Sequence, residues 1–170
     1  FRAVEAGTAD FGVVPVENST EGAINRTLDL LMQTPLTISS EVSIPIQHNL
    51  MTQNGKMDGV HTICAHSQAL AQCQGWLNQH FPNIPRQAVS SNAEAARMAS
   101  EDGQVAAIAG EIASKRYGLQ VVNAHIQDEP QNRTRFAVIG RKETEPTGKD
   151  QTSLLLSVQN KAGAVYSMLE

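Results

Sequence analysis

Thr134 stands between two arginines in the segment Gln131-Asn132-Arg133-Thr134-Arg135-Phe136, just before the apolar run Ala137-Val138-Ile139. Guanidinium groups beside a hydroxyl suit a carboxylate-bearing small molecule. The arginine fork matches a carboxylate, and the hydroxyl is left to meet a second oxygen. Alone, the segment also reads as a solvated basic turn. A second polar cluster, Glu17-Asn18-Ser19-Thr20, follows the apolar run 11–16. Asn18 and Glu21 have the spacing of a helix-capping pair, and capping would aim backbone N–H groups and the positive end of a helix dipole at a bound anion. A third cluster is His66-Ser67-Gln68, with Gln72 one turn further on. Taken alone, His66 reads more readily as a structural histidine than as a base. Three polar corners at strand ends, each beside a helix start or turn, are what a ligand cleft between two α/β lobes requires.

The elements that must carry these corners alternate between strand and helix periodicity, which points to an α/β fold. Residues 11–16 read as a strand, and Ile24, Leu28 and Leu31 recur at helical spacing before Pro35. Residues 36–51 form a long extended stretch that Pro45 keeps from being a regular central strand. Residues 59–66 read as a strand, and Ser67 as the cap of a helix running through Leu70, Cys73 and Leu77. Ser91 stands three residues before Glu94, a capping-box spacing. Residues 104–110 read as a small-residue strand, followed by a short helix that Gly118 stops. Residues 119–127 and 135–140 read as strands. Residues 141–151, polar and containing Pro146 and Gly148, read as a linker. Residues 152–170 restart with a strand, a turn and a helix.

The 170 residues carry a net charge of -4 and are 41% hydrophobic, enough for one good core or two small lobes. Mild acidity without Lys/Arg runs argues against a nucleic-acid or membrane-surface protein. No apolar run approaches the ~20 residues that span a bilayer. Cys64 and Cys73 lack the paired spacing of a zinc site and read as buried free thiols of a cytoplasmic protein, with a disulfide as the alternative.

The segments GVVPVENSTEGAINRTLDLL, AHSQALAQC, SSNAEAA, YGLQVV and NRTRFAVIG occur in the order and approximate spacing of prephenate dehydratase. SLLLSVQNKAGAVYSMLE resembles the start of the ACT regulatory domain that follows it in that family. The resemblance covers nearly the whole chain. It implies conversion of prephenate to phenylpyruvate, with loss of water and carbon dioxide, in phenylalanine biosynthesis. The implied enzyme is a cytoplasmic carbon–oxygen lyase that needs no metal or organic cofactor. It further implies a two-lobed, type 2 periplasmic-binding-protein-like catalytic domain over residues 1–140, crossing between lobes near 43–51 and 121–133. A linker over 141–151 and the start of an α+β ACT domain over 152–170 would follow. The family pattern begins with a Gly-rich strand and turn upstream of Phe1. Without that segment the first lobe is expected to expose an apolar edge and to be poorly active.

Residue by residue, Thr134 matches the family's catalytic threonine. Its hydroxyl is too weak an acid to be a free proton source, so it reads as a positioned donor or relay to the leaving oxygen. Arg135 is expected to bind a carboxylate or orient the loop, and Phe136 to pack beside the substrate. Asn18, Ser19 and Thr20 are expected to line the cleft with donors, with Glu17 as a polar neighbour. Gln72 and Ser91 match further substrate-binding positions. Gly163, Ala164 and Val165 match the ACT segment that contacts phenylalanine, which implies L-phenylalanine as allosteric inhibitor. ACT domains commonly pair, which implies a homo-oligomer. Ala65 stands where many members have serine, Ser67 where proline is common, and Asn92 where threonine is frequent. The motifs fit arogenate dehydratase as well. A non-catalytic bilobed small-molecule-binding module is a further reading, against which the intact Thr134-Arg135-Phe136 argues.

Overall fold

The computed structural model describes residues 1–154 and 161–169. Two sheets organise it, joined by two crossings. A short helix α1 (Arg2–Glu5) leads into β1 (Phe11–Asn18), the two-residue β2 (Gly22–Ala23), α2 (Asn25–Leu31) and β3 (Thr37–Pro45). The chain then crosses at residues 46–48 and builds β4 (Asn49–Thr52), β5 (Thr62–His66), α3 (Ser67–Gln72), α4 (Gln74–His80) and β6 (Arg86–Val89). It continues through α5 (Asn92–Glu101), β7 (Val105–Ala109), α6 (Glu111–Tyr117) and β8 (Gln120–Asn123). A second crossing, 124–132, returns it to the first sheet as β9 (Arg133–Gly140). Residues 145–154 have no regular structure apart from a turn, and α7 (Ala164–Leu169) follows Gly163.

The first sheet has the order β2-β1-β9-β3 and is antiparallel throughout. Pro45 lies at the end of edge strand β3, where its missing N–H breaks no ladder. One face is packed by Val4, Leu36, Ala137 and Ile139. On the opposite face Val13 is 65% exposed and Val42 and Ile44 are also open, and the edge of β1 from Phe11 to Val16 has no strand partner among the described residues.

The second sheet has the order β6-β5-β7-β4-β8, with β5 parallel to β6 and β7 and with β4 antiparallel to both of its neighbours. Helices cover both faces, so its central strands are apolar without alternation. Leu50, Ile63, Ala65 and Ile108 pack with Leu77 on one face, and Met51, Cys64 and Ala107 pack on the other. There Ala95, Ala96 and Ala99 let α5 lie close to the strands. Cys64 and Cys73 are both buried and unbridged.

Two local expectations are corrected. The helix after β5 is capped by His66, whose Nδ1 accepts from the Gln68 N–H, and Ser67 is its first helical residue. That helix also breaks at Cys73. The carboxylate of Asp128, on the returning crossing, accepts from the N–H groups of Gly75 and Trp76 at 2.8 Å each and so caps a new helix there. Gly75 is needed for this approach, because a Cβ would stand 3.0 Å from the carboxylate. The strand expected at the start of residues 152–170 falls largely on residues 155–160, which lie outside the described residues.

Candidate active site

Two strands bring the first and last polar corners together. In the antiparallel pair β1–β9, Asn18 lies opposite Thr134 and Glu17 opposite Arg135. A bulge between Pro15 and Glu17 produces this match. Pro15 faces Phe136, so uninterrupted pairing would have set Glu17, not Asn18, against Thr134.

Asn18 is buried, and its carboxamide is fully used. Its Oδ1 accepts from the N–H groups of Thr20 and Glu21, at 2.9 and 3.1 Å, which closes the turn after β1. Asn18 therefore caps a turn and not helix α2, whose N-cap position is Ile24. Its Nδ2 donates to Asn132 Oδ1 at 3.1 Å and to Thr134 Oγ1 at 2.9 Å. Thr134 Oγ1 is thus an acceptor from Asn18. Among the described residues its own proton meets no acceptor, and it is free to serve a ligand.

Thr134 opens into a cavity of about 300 Å³ lined also by Asn18, Ile46, His48, His66, Gln72, Ser91 and Asn92. Ser91 caps α5 by accepting from the Glu94 N–H, and Asn92 Oδ1 accepts from the His66 N–H. The positive end of α5 therefore faces this space. Gln72 and Gln68 also line an adjoining outer cavity of about 600 Å³, together with Thr20, Glu21, Ser67, Asp128 and Glu129. A contact from the Gln68 carboxamide to Glu21 joins α3 to the turn after β1 at its mouth. The outer cavity is the larger, but the inner one holds the convergent donors. Neither has an arginine or lysine in its lining among the described residues.

The expected arginine fork is overturned. Side chains alternate along a strand, so the neighbours of Thr134 on β9 point away from it. Arg135 lies between Glu41 and Glu17, with N···O distances of 2.8 and 2.6 Å, beside a separate cavity behind the sheet. Glu41 and then Glu17 hold its guanidinium firmly protonated, and Arg135 in turn lowers the Glu41 pKa. Arg133 is spent on Ser43. Two further expectations change. Ser19 uses its hydroxyl within the protein, accepting from the Arg133 N–H at 2.9 Å and donating to Asn132 Oδ1. Phe136 lies between Pro15 and Val42 on the sheet and lines neither cleft cavity. Thr20 lines the outer cavity, and Gln72 and Ser91 line the inner one.

Ala65 is fully buried in the core beneath the site, whereas Ser67 lines the outer cavity. Burial pushes the Cys73 thiol up to about 12, with the Asp128 charge adding to the effect, and burial also raises Cys64, so neither is a nucleophile. Gly163 adopts a left-handed φ of 80° before α7, and Val165 is exposed. Sequence reading passed over His48, Asn132 and Asn92 as site residues. The first two lie in the crossings between the sheets, where Asn132 Oδ1 accepts from Asn18 and Ser19 and the His48 ring meets Gln72. That position was the available signal.

The family model of prephenate dehydratase matches residues 1–144. The chain belongs to the prephenate dehydratase family. It is 53% identical over 173 residues to a bifunctional chorismate mutase/prephenate dehydratase of Neisseria gonorrhoeae, covering all of this chain and 48% of that protein. It is 38% identical to a prephenate dehydratase of Mycolicibacterium gilvum, covering 99% of this chain and 56% of the relative. The crystal structure of prephenate dehydratase from Arthrobacter aurescens in complex with L-Phe superposes with a TM-score of 0.78 at 31% identity, over 99% of this chain and 58% of that one. The chain thus spans about half the length of the curated relatives it matches. Among the described residues no helix is long and apolar enough to cross a membrane.

Proposed function

We propose that this chain carries the catalytic unit of a prephenate dehydratase, a carbon–oxygen lyase of phenylalanine biosynthesis acting in the cytoplasm. In the reaction the ring carboxylate leaves as carbon dioxide. The electron pair of the broken C–C bond moves into the ring, and the C–O bond to the ring hydroxyl breaks. The departing oxygen takes up one proton to leave as water, and the ring becomes aromatic. The chemical demand on the protein is a hydrogen-bond donor at that oxygen inside a cleft that excludes water. The Asn18–Thr134 hydrogen bond is the observation that carries this reading, because it turns the threonine proton toward the cavity. Gln72, Ser91 and the positive end of α5 supply further donors for the substrate's anionic groups. The test is phenylpyruvate formation from prephenate by the full-length protein. Absence of turnover in folded protein would overturn the assignment.

The two sheets and two crossings support a type 2 periplasmic-binding-protein-like domain over residues 1–140, with 141–151 as a linker and 152–170 as the start of an ACT domain. L-Phenylalanine is the allosteric inhibitor in this reading, through Gly163, Ala164 and Val165, and the protein is a homo-oligomer. The L-Phe complex of the Arthrobacter aurescens enzyme supports the regulatory part.

One observation favours arogenate as a second substrate. The outer cavity presents Glu21, Asp128 and Glu129 and, among the described residues, no lysine or arginine, which suits an ammonium group better than a keto acid. Comparing kcat/KM for the two substrates decides between them.

A further inference from the structure

His48 is the one histidine buried among the described residues, at 6% exposure, and it lines the inner cavity beside Thr134. Its backbone is pinned by the returning crossing: its N–H donates to Gln127 Oε1 at 3.1 Å, and its C=O accepts from the Ile126 N–H at 2.8 Å. Its ring Nε2 lies 2.8 Å from Gln72 Oε1, while Nδ1 is buried and has no partner among the described residues. The Gln72 backbone is tied to the same crossing, its C=O accepting from the Asp128 N–H at 2.7 Å.

Two arrangements satisfy the ring-to-amide contact. In one, Nε2–H donates to Gln72 Oε1, and the orphan Nδ1 is a bare lone pair. In the other, the amide is turned over, Nε2 accepts, and Nδ1–H becomes a buried donor with no acceptor. Orphaned buried N–H groups are the rarer and costlier case, so the first arrangement holds. It has a consequence for the cleft. With its oxygen committed to His48, the Gln72 carboxamide must present its NH₂ group to the cavity that Thr134 lines.

We propose that His48 is a positioning residue for the dehydration, setting the flip of the Gln72 carboxamide so that both of its N–H donors serve the substrate. The proposal rests on the functional reading above. The relevant atom is Nε2, which a glutamine side chain at position 48 reproduces and an asparagine does not.

The test uses full-length protein with prephenate, comparing His48→Gln, His48→Asn, Gln72→Leu and the double variant His48→Asn/Gln72→Leu, all checked for folding by thermal melt. His48→Asn is expected to lose up to about 10²-fold in kcat/KM, the scale of a misplaced contact, and His48→Gln to keep most of the activity. In the Gln72→Leu background, His48→Asn should change kcat/KM by less than about twofold, the ordinary limit of additivity error. The Gln72 side-chain amide NMR signal, identified by its loss in Gln72→Leu, should move in His48→Asn and stay in place in His48→Gln. Folded His48→Gln as poor as His48→Asn, or fully additive losses in the double variant, would overturn the proposal. An unmoved amide signal in His48→Asn would overturn it as well. Wild-type protein without dehydration but with the amide signal responding as expected would instead defeat the functional reading and leave the positioning role standing.

Discussion

Asn18 donates to Thr134 across the β1–β9 pair, Nδ2 to Oγ1, at 2.9 Å. The direction of that bond matters more than its existence. An amide NH₂ cannot accept a proton from a hydroxyl, so the threonine proton is left for the cleft. The cleft therefore holds a donor prepared before any ligand arrives, the arrangement by which a positioned hydroxyl can stabilise charge developing on a departing oxygen.

Removing the donor tests its role directly. Thr134→Ala is expected to lower kcat by ~10²–10³-fold with a smaller change in prephenate affinity, and Thr134→Ser to retain part of the turnover. Steady-state kinetics with a direct binding measurement separates the two effects. Retained turnover with lost affinity would assign the chemistry to another residue.

Asn18→Asp tests the direction of the bond. The carboxylate keeps the acceptor that the Thr20 and Glu21 N–H groups need, but it replaces the donor facing Thr134 with an acceptor. The hydroxyl proton should then turn inward, and kcat should fall on the scale of Thr134→Ala, by about 10²-fold or more, in a protein that still folds. Circular dichroism and kcat measured together check this outcome.

Arg135 is expected to matter for stability more than for substrate binding, because it faces Glu17 and Glu41 behind the sheet. For Arg135→Gln the KM for prephenate should move by less than about fivefold, the ~1 kcal/mol ceiling of exposed ion pairs. The Glu41 pKa is lowered by its hydrogen bond to Arg135, so the stability this pair contributes is present above the ordinary glutamate value of 4.5 and is lost as pH falls through the lowered one. Urea midpoints of wild type and Arg135→Gln should accordingly differ at neutral pH and converge in acid. A gap that widened toward low pH would contradict the assignment.

Regulation has its own test. Full-length protein should be inhibited by L-phenylalanine, while a chain ending near Asp150 should not respond, because Gly163, Ala164 and Val165 are then absent. Equal inhibition of both would place the effector site in the catalytic part.

The sequence by itself determined the α/β character, most of the strands, the Ser91 cap of α5 and the family. These rest on local periodicity and on short contiguous motifs, which need no knowledge of partners distant in the chain. It also singled out Thr134, Asn18, Gln72 and Ser91. What it misread was direction. Arg133 and Arg135 flank Thr134 in the chain but lie on the other face of β9, since strand neighbours point to opposite sides. The pairing of Asn18 with Thr134 depends on the bulge near Val16, and nothing in the local residues announces a register shift against a strand more than a hundred residues away. The break at Cys73 has the same origin, for its cap is the carboxylate of Asp128. His48 read as one polar residue in an extended stretch, and only the second crossing, through Ile126 and Gln127, buries it against Gln72. Hydrogen bonds between segments distant in sequence are made by tertiary structure alone, and in this protein they decide which donors face the cleft.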